Sequence, residues 1–285
     1  MSGDNRTVAE CLKDIEASTR RMCEVMGCTP TGETKVEGSL DSEYVETESY
    51  GEPIVAPKTV EMSYRHPVGF LKIPKDLDAL EQFKFGGARF ISPLTINNTD
   101  WNLRPKDQGS KPYCAGYAAA SYIENILWRK TGIPDEVDAD TIYKRAKEID
   151  GDPQGSGTTL TAVLQAALDL GYFKEEKCTV KVLRTIEQVK RCIHRYGTCL
   201  IGVMVTREYY DCNKNKTAVC GEGDQTTLGG HAMQAVGFKK GGLIVRNSWG
   251  RDYGTDGDII IAWKQLEQQF VYGATYDNPM VNFHI

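Results

Sequence analysis

The sequence predicts an α+β chain: an N-terminal arm, then a helical lobe beside a lobe of antiparallel β-sheet or barrel. Three observations predict this. Helical patterns come first from about residue 96, and strand patterns follow from residue 199. Residues 28–60 are rich in Thr, Gly, Glu, Ser and Pro, the composition of a linker. Charge divides near the same place. Residues 1–61 hold 13 acidic and 6 basic side chains, a net of −7, whereas the remainder holds 26 acidic and 28 basic, a net of +2. The expected organisation is therefore an arm over 1–95 and a folded domain over 96–285.

Each element has its own signal. Residues 7–26 read as an amphipathic helix, with Thr7 and Glu10 at capping-box spacing, Val8, Leu12, Ile15, Met22 and Met26 on one face, and Gly27 as the stop. Residues 62–95 mix aromatics and prolines with a short helical pattern from Asp76 to Phe83. The alanine-rich run at 115–130 predicts a buried helix ended by Gly132 and Pro134. Further helices are predicted at 138–148, at 159–170 before Gly171, and at 186–196 before Gly197. Strands are predicted at 199–205, 232–238, 243–247 and 258–263, with Gly241-Gly242 as a hairpin turn between the second and third.

Composition excludes several functions. A net charge of −5 gives no electrostatic footprint for nucleic acid or an anionic membrane surface. No run reaches the length of a membrane span, and the N-terminus has no apolar core of a secretory signal. Cytoplasmic residence is expected, with export by a non-classical route as the alternative. The nine cysteines include no C-x-x-C pair, which argues against a zinc ribbon or a disulfide framework. Cys192, His194 and Cys199 fit no standard metal spacing. Cys212 and Cys220 bracket a polar loop and are expected to be reduced. Neither a metal nor an organic cofactor is expected.

The chemistry gathers in three places. In D-Q-G-S-K-P-Y-C-A, Cys114 opens a helix, where the positive dipole end and free N–H groups favour thiolate, the nucleophilic form. L-G-G-H-A-M-Q puts His231 at the entry to a strand, and L-I-V-R-N-S-W-G puts Asn247 at the exit of the next. Two hairpin-paired strands bring those side chains together. His231 then serves as base and imidazolium partner for Cys114, Asn247 orients the far ring nitrogen, and Trp249 shields that bond from water.

With these residues in view, the chain resembles the papain-like cysteine proteases. The matching pieces, in order, are D-W-N at 100–102, Q-G-x4-C-A at 108–115, G-G-H-A at 229–232, V-G-F at 236–238 and R-N-S-W-G at 246–250. The match spans roughly residues 96–275, with six residues from Gln108 to Cys114 and sixteen from His231 to Asn247. The helical region resembles bacterial-type members. The resemblance implies a two-lobed fold and an endopeptidase acting through a thioester on a peptide or protein substrate. It implies that Gln108 and the Cys114 N–H form an oxyanion hole, and that Gly157, Thr158 and Gly230 meet the substrate backbone. It also implies that the region before the domain can act like a zymogen propeptide and dock on the cleft.

The chain departs from the family at three positions. Lys111 stands where the family keeps a disulfide cysteine, Pro112 where it keeps a glycine beside the substrate, and Ala115 where tryptophan is common. Two competing expectations are a catalytically idle scaffold with this fold, and an acyl-transfer variant, ligase or aminopeptidase-like.

Overall fold

The computed structural model describes residues 66–68, 71–85, 90–173 and 178–277. The predicted helix at 7–26 and the linker at 28–60 lie outside the described residues. Three packed helices build the first lobe: α1 (Cys114–Thr131), α2 (Ala139–Ile149) and α3 (Leu160–Asp169). The ends follow from local chemistry. The Asp138 carboxylate accepts the Asp140 N–H at 3.0 Å, and the Thr159 hydroxyl accepts the Ala162 N–H at 3.0 Å. Gly132 stops α1 in the left-handed region with φ of 72°. Gly116 brings α1 against α2: a methyl there would sit 2.8 Å from both the Ala139 carbonyl oxygen and Tyr143 Cβ. Side-chain caps of this kind stabilise a helix by about 1 kcal/mol each.

The second lobe is one twisted sheet. Its strands are β1 (Ile96–Asn97), β2 (Val180–Leu183), β3 (Cys199–Thr206), β4 (Ala218–Val219), β5 (Thr227–Lys239), β6 (Gly242–Arg246), β7 (Asp258–Ala262) and β8 (Phe270–Tyr276). The order is β2-β8-β3-β5-β6-β7-β4, with β1 on β5, and every pairing is antiparallel except β4 with β7. Helix α4 (Ile186–Tyr196) packs on the sheet behind a full capping box of Thr185 and Gln188, and α5 (Trp263–Gln269) joins β7 to β8.

The predicted helices hold to within a residue or so. The predicted strand at 258–263 ends at Ala262, because Trp263 opens α5. Only Leu77–Ala79 of the helical pattern at 76–83 makes a turn of 3₁₀ helix. Residues 81–83 run extended instead, because they pair with the free edge of β2: the Phe83 N–H donates to the Val182 carbonyl at 3.0 Å and the Val182 N–H to the Glu81 carbonyl at 3.1 Å.

Two apolar clusters form the core. One fills the space between the three helices and the sheet and includes Leu71, and the other lies within the sheet lobe and includes Phe83. Residues on the N-terminal side of position 95 thus contribute to both. No helix among the described residues is long and apolar enough to cross a membrane.

Candidate active site

Cys114 is the first residue of α1, at the face of the helical lobe that meets β5. Its sulfur lies in hydrogen-bond reach of the N–H groups of Ala232, Ala115 and Cys114 itself. Ala232 follows His231 on β5, so the helix start and the strand carrying the histidine meet at the thiol. The thiol is buried, as is Ala115 beside it.

His231 and Asn247 come together through the β5–β6 hairpin. Gln234 pairs with Arg246, which aligns position 233 with 247, and side chains two residues apart on a strand share a face. His231 Nε2 and Asn247 Oδ1 are 2.8 Å apart. The Ser248 N–H donates to the same amide oxygen at 2.8 Å, and the Asn247 N–H donates to the Gly257 carbonyl at 2.9 Å. An amide oxygen only accepts, so the proton of neutral His231 sits on Nε2 and the lone pair on Nδ1. Nδ1 has no hydrogen-bond partner. Trp249 lies over the imidazole with ring centres 5.0 Å apart and is itself nearly buried, which keeps water from the His231–Asn247 bond.

Gln108 is buried and fixed at both ends. Its N–H donates to the Ser248 carbonyl at 2.9 Å, the Ser248 hydroxyl donates to Gln108 Oε1 at 2.7 Å, and Gln108 Nε2 donates to the Lys111 carbonyl at 2.9 Å. These contacts set the orientation of the amide and leave one N–H of Nε2 unassigned. The loop from Gln108 to Cys114 is tied to the helical lobe on its far side. Lys111 pairs with Asp140, and Tyr113 stacks on Tyr143 at 3.8 Å. An ion pair and an aromatic stack therefore anchor the segment where the resemblance replaces a disulfide cysteine with Lys111.

Gly157, Thr158 and Gly230 are placed differently from one another. Gly157 adopts a φ of 74°, and its N–H and carbonyl are both engaged inside the lobe, by Tyr143 Oη at 2.8 Å and Lys147 Nζ at 2.9 Å. The Thr158 and Gly230 carbonyls instead face a groove that the chain itself fills. The Leu71 N–H donates to the Gly230 carbonyl at 3.2 Å and the Lys72 N–H to the Thr158 carbonyl at 2.9 Å, in a parallel bridge. At the other end His66 stacks on Trp249 with ring centres 5.6 Å apart, and its carbonyl accepts from Tyr210 Oη at 2.7 Å. The aromatics, apolar side chains and prolines of residues 62–75 mark a stretch suited to filling a cleft, but nothing in the sequence singles out Leu71 and Lys72 as the residues that pair with Gly230 and Thr158.

Burial sets the electrostatics. It pushes the Cys114 thiol up to about 11, although the surrounding N–H groups pull the other way. It pushes His231 down to about 4, opposed by its bond to Asn247. Burial therefore favours the neutral form of both groups at neutral pH. Cys212 and Cys220 are free thiols, the first buried and the second exposed. Cys192 and Cys199 are buried, while His194 packs outside on Phe90.

No protein-family model matches the chain, and no curated protein sequence matches it. Solved structures do. The chain matches xylellain, a cysteine protease from Xylella fastidiosa, at 18% identity and a TM-score of 0.59, over 74% of this chain and 96% of that one. It matches a procathepsin B from Trypanosoma congolense at 17% identity and a TM-score of 0.58, over 73% of this chain and 85% of that one. A third match is the proform of the ragweed pollen cysteine protease Amb a 11, at 15% identity and a TM-score of 0.53, over 67% and 66%. The fold is that of the papain-like cysteine proteases.

Proposed function

We propose that the chain is a cysteine endopeptidase whose N-terminal arm restrains it. The observation that carries the reading is the His231–Asn247 bond of 2.8 Å, with Nδ1 left open on a strand whose next N–H faces the Cys114 sulfur. A lone buried cysteine or histidine is ordinary core material. A histidine held in one tautomer with a free lone pair, on a strand whose next residue meets a helix-start thiol, has the makings of an acid–base group serving a nucleophile.

The chemistry follows from the atoms. Nδ1 takes the thiol proton, and the thiolate attacks the scissile carbonyl. The developing oxyanion is met by the Cys114 N–H and the remaining N–H of Gln108 Nε2, an arrangement whose single donors are worth about 3 kcal/mol each. The imidazolium returns the proton to the leaving amine, and the thioester is hydrolysed by water that Nδ1 deprotonates. Asn247 holds the ring through both steps, and Trp249 keeps its bond dry. Thr158 and Gly230 offer carbonyls to a substrate backbone, while Gly157 supplies the turn beneath them.

Of the arm, His66, Leu71 and Lys72 dock on the peptidase domain, residues 96–285, and Leu71 and Lys72 pair with the groove carbonyls. The same filling of the groove favours a second reading, a scaffold whose site is permanently closed. One experiment separates the two. The full chain and its Lys72→Glu variant are treated with a peptide carrying a thiol-reactive group, and labelled residues are mapped by mass spectrometry. Selective labelling of Cys114, faster in the variant and accompanied by peptide hydrolysis, is expected of the restrained enzyme. Absence of labelling and hydrolysis in both chains would establish the closed scaffold instead.

A further inference from the structure

Beyond Thr158 the groove ends in a charged cluster that the proposed catalytic steps do not use. Asp150, Lys147 and Asp152 come from the end of α2 and the turn after it. Lys147 Nζ lies 3.0 Å from Asp150 Oδ2 and 3.6 Å from Asp152 Oδ2. The side chains of Lys147 and Asp150 are only 5% and 8% exposed. Two carboxylates against one buried ammonium leave a negative charge, and taking charge out of water is costly unless it is paired. Lys72 supplies the missing cation, with Nζ 2.5 Å from Asp152 Oδ2 and 3.7 Å from Asp150 Oδ2. Its carbonyl is held in turn by Tyr272 Oη at 3.3 Å.

The neighbouring contact is apolar and equally shaped. Leu71 lies over Gly202 of β3, where a methyl would come within 2.3 Å of Leu71 Cδ2. Glycine there makes room for a branched side chain. A cavity of about 890 Å³ runs alongside Lys72, Asp150, Asp152, Thr159 and Gln165, giving a long side chain space to reach the carboxylates.

We infer that Leu71-Lys72 occupies two substrate subsites, and that the enzyme selects peptides carrying lysine or arginine at the Asp150–Asp152 cluster, next to an apolar residue over Gly202. This rests on the endopeptidase reading. Leu71 pairs with Gly230, the neighbour of His231, while Lys72 reaches past Thr158, so the cationic residue lies on the far side of the apolar one from the scissile bond. Arginine fits as well as lysine, because its planar fork can engage Asp152 and Asp150 together. The arm holds the groove by presenting the side chains the groove is built to recognise.

The test uses the full chain and two sets of internally quenched peptides, one with Leu preceded and one with Leu followed by Arg, Gln or Glu, since the arm presents Leu before Lys, with mixed residues elsewhere. Comparing kcat/KM between peptides within one preparation cancels the fraction of molecules whose groove is filled. Arg over Glu is expected to exceed tenfold in at least one set. Asp152→Asn, a change at a half-exposed side chain, should bring the ratio below about threefold, and Asp152→Lys should invert it. The Lys72→Glu chain, whose own segment meets two carboxylates, should show the same preference at higher absolute rates. Cleavage of all peptides within twofold of one another, unmoved by Asp152→Lys, would overturn the subsite and leave the endopeptidase reading standing. No cleavage by either the wild-type or the Lys72→Glu chain would overturn that reading, and the subsite with it.

Discussion

Two sets of ionisable groups in the same domain respond to burial in opposite ways. Cys114 and His231 are buried with no opposite charge beside them, so burial drives the thiol up to about 11 and the imidazole down to about 4. At Asp150 and Asp152, Lys72 brings an ammonium. Desolvation lowers the Lys72 pKa, but Asp152 and Asp150 outweigh it and the net shift is upward, while Lys72 holds Asp152 below the usual carboxylate range. Burial without a partner neutralises, and burial with a partner keeps charge in place. One domain thus holds a neutral pair at Cys114 and His231 and an ionic clamp on Lys72.

Removing the neutral pair is the strongest way to break the comparison. Cys114→Ala should lower peptide hydrolysis by at least about a thousandfold, with thermal unfolding little changed, since alanine suits a helix start that is already buried. Hydrolysis at the wild-type rate by a preparation free of other proteases would remove Cys114 from the chemistry. Gln108→Ala keeps the pair and takes one donor from the oxyanion, so turnover should fall by about a hundredfold to a thousandfold. A loss under threefold would mean that Gln108 does not line the hole.

Acidity sharpens the contrast through the sign of each shift. His231 is held neutral with its pKa at about 4 against an ordinary 6.5, so its contribution to folding stability is complete above pH 6.5 and is lost as pH falls toward 4. Cys114 is held neutral with its pKa at about 11 against an ordinary 9.0, so its contribution is complete below pH 9 and is lost as pH rises toward 11. Folding stability should be greatest between those limits and fall by up to about 1.4 kcal/mol per pH unit outside them, until each buried group itself titrates. Asp152, held below 3.8, adds its loss only under more acid conditions. Hydrogen exchange at the most protected amides, referred to intrinsic rates, measures this, and a flat profile from pH 4.5 to 9 would contradict it. Salt gives the smallest effect. Lys72 and Asp152 are 32% and 50% exposed, so raising sodium chloride from 50 to 500 mM should speed exchange at Lys72 by about twofold to threefold. Exchange at amides of the buried α1 helix should not follow.

How far the sequence reaches differs along the chain for physical reasons. Capped, amphipathic helices such as Ile186–Tyr196 were legible to the residue, because Thr185, Gln188 and Gly197 specify both ends locally. The central strands were legible as apolar runs. The edge strand Val180–Leu183 was not, since four residues carry too little pattern, and the strand Phe270–Tyr276 follows so closely on a helix that its signal merges with it.

The sequence by itself determined the residue types of the site and their order, because a thiol at a helix start and an asparagine at a strand exit are consequences of short-range pattern; His231, expected at a strand entry, lies inside β5, whose first four residues, T-L-G-G, carry no strand pattern. Tertiary structure decided what those residues experience. The tautomer of His231 depends on an amide oxygen sixteen residues away. Whether Asp76–Phe83 coils or extends depends on the open edge of β2, and whether Lys72 is a solvated cation or a bound one depends on Asp150 and Asp152. Each is a competition between local preference and a partner distant in sequence, and only the folded chain brings the partner within reach.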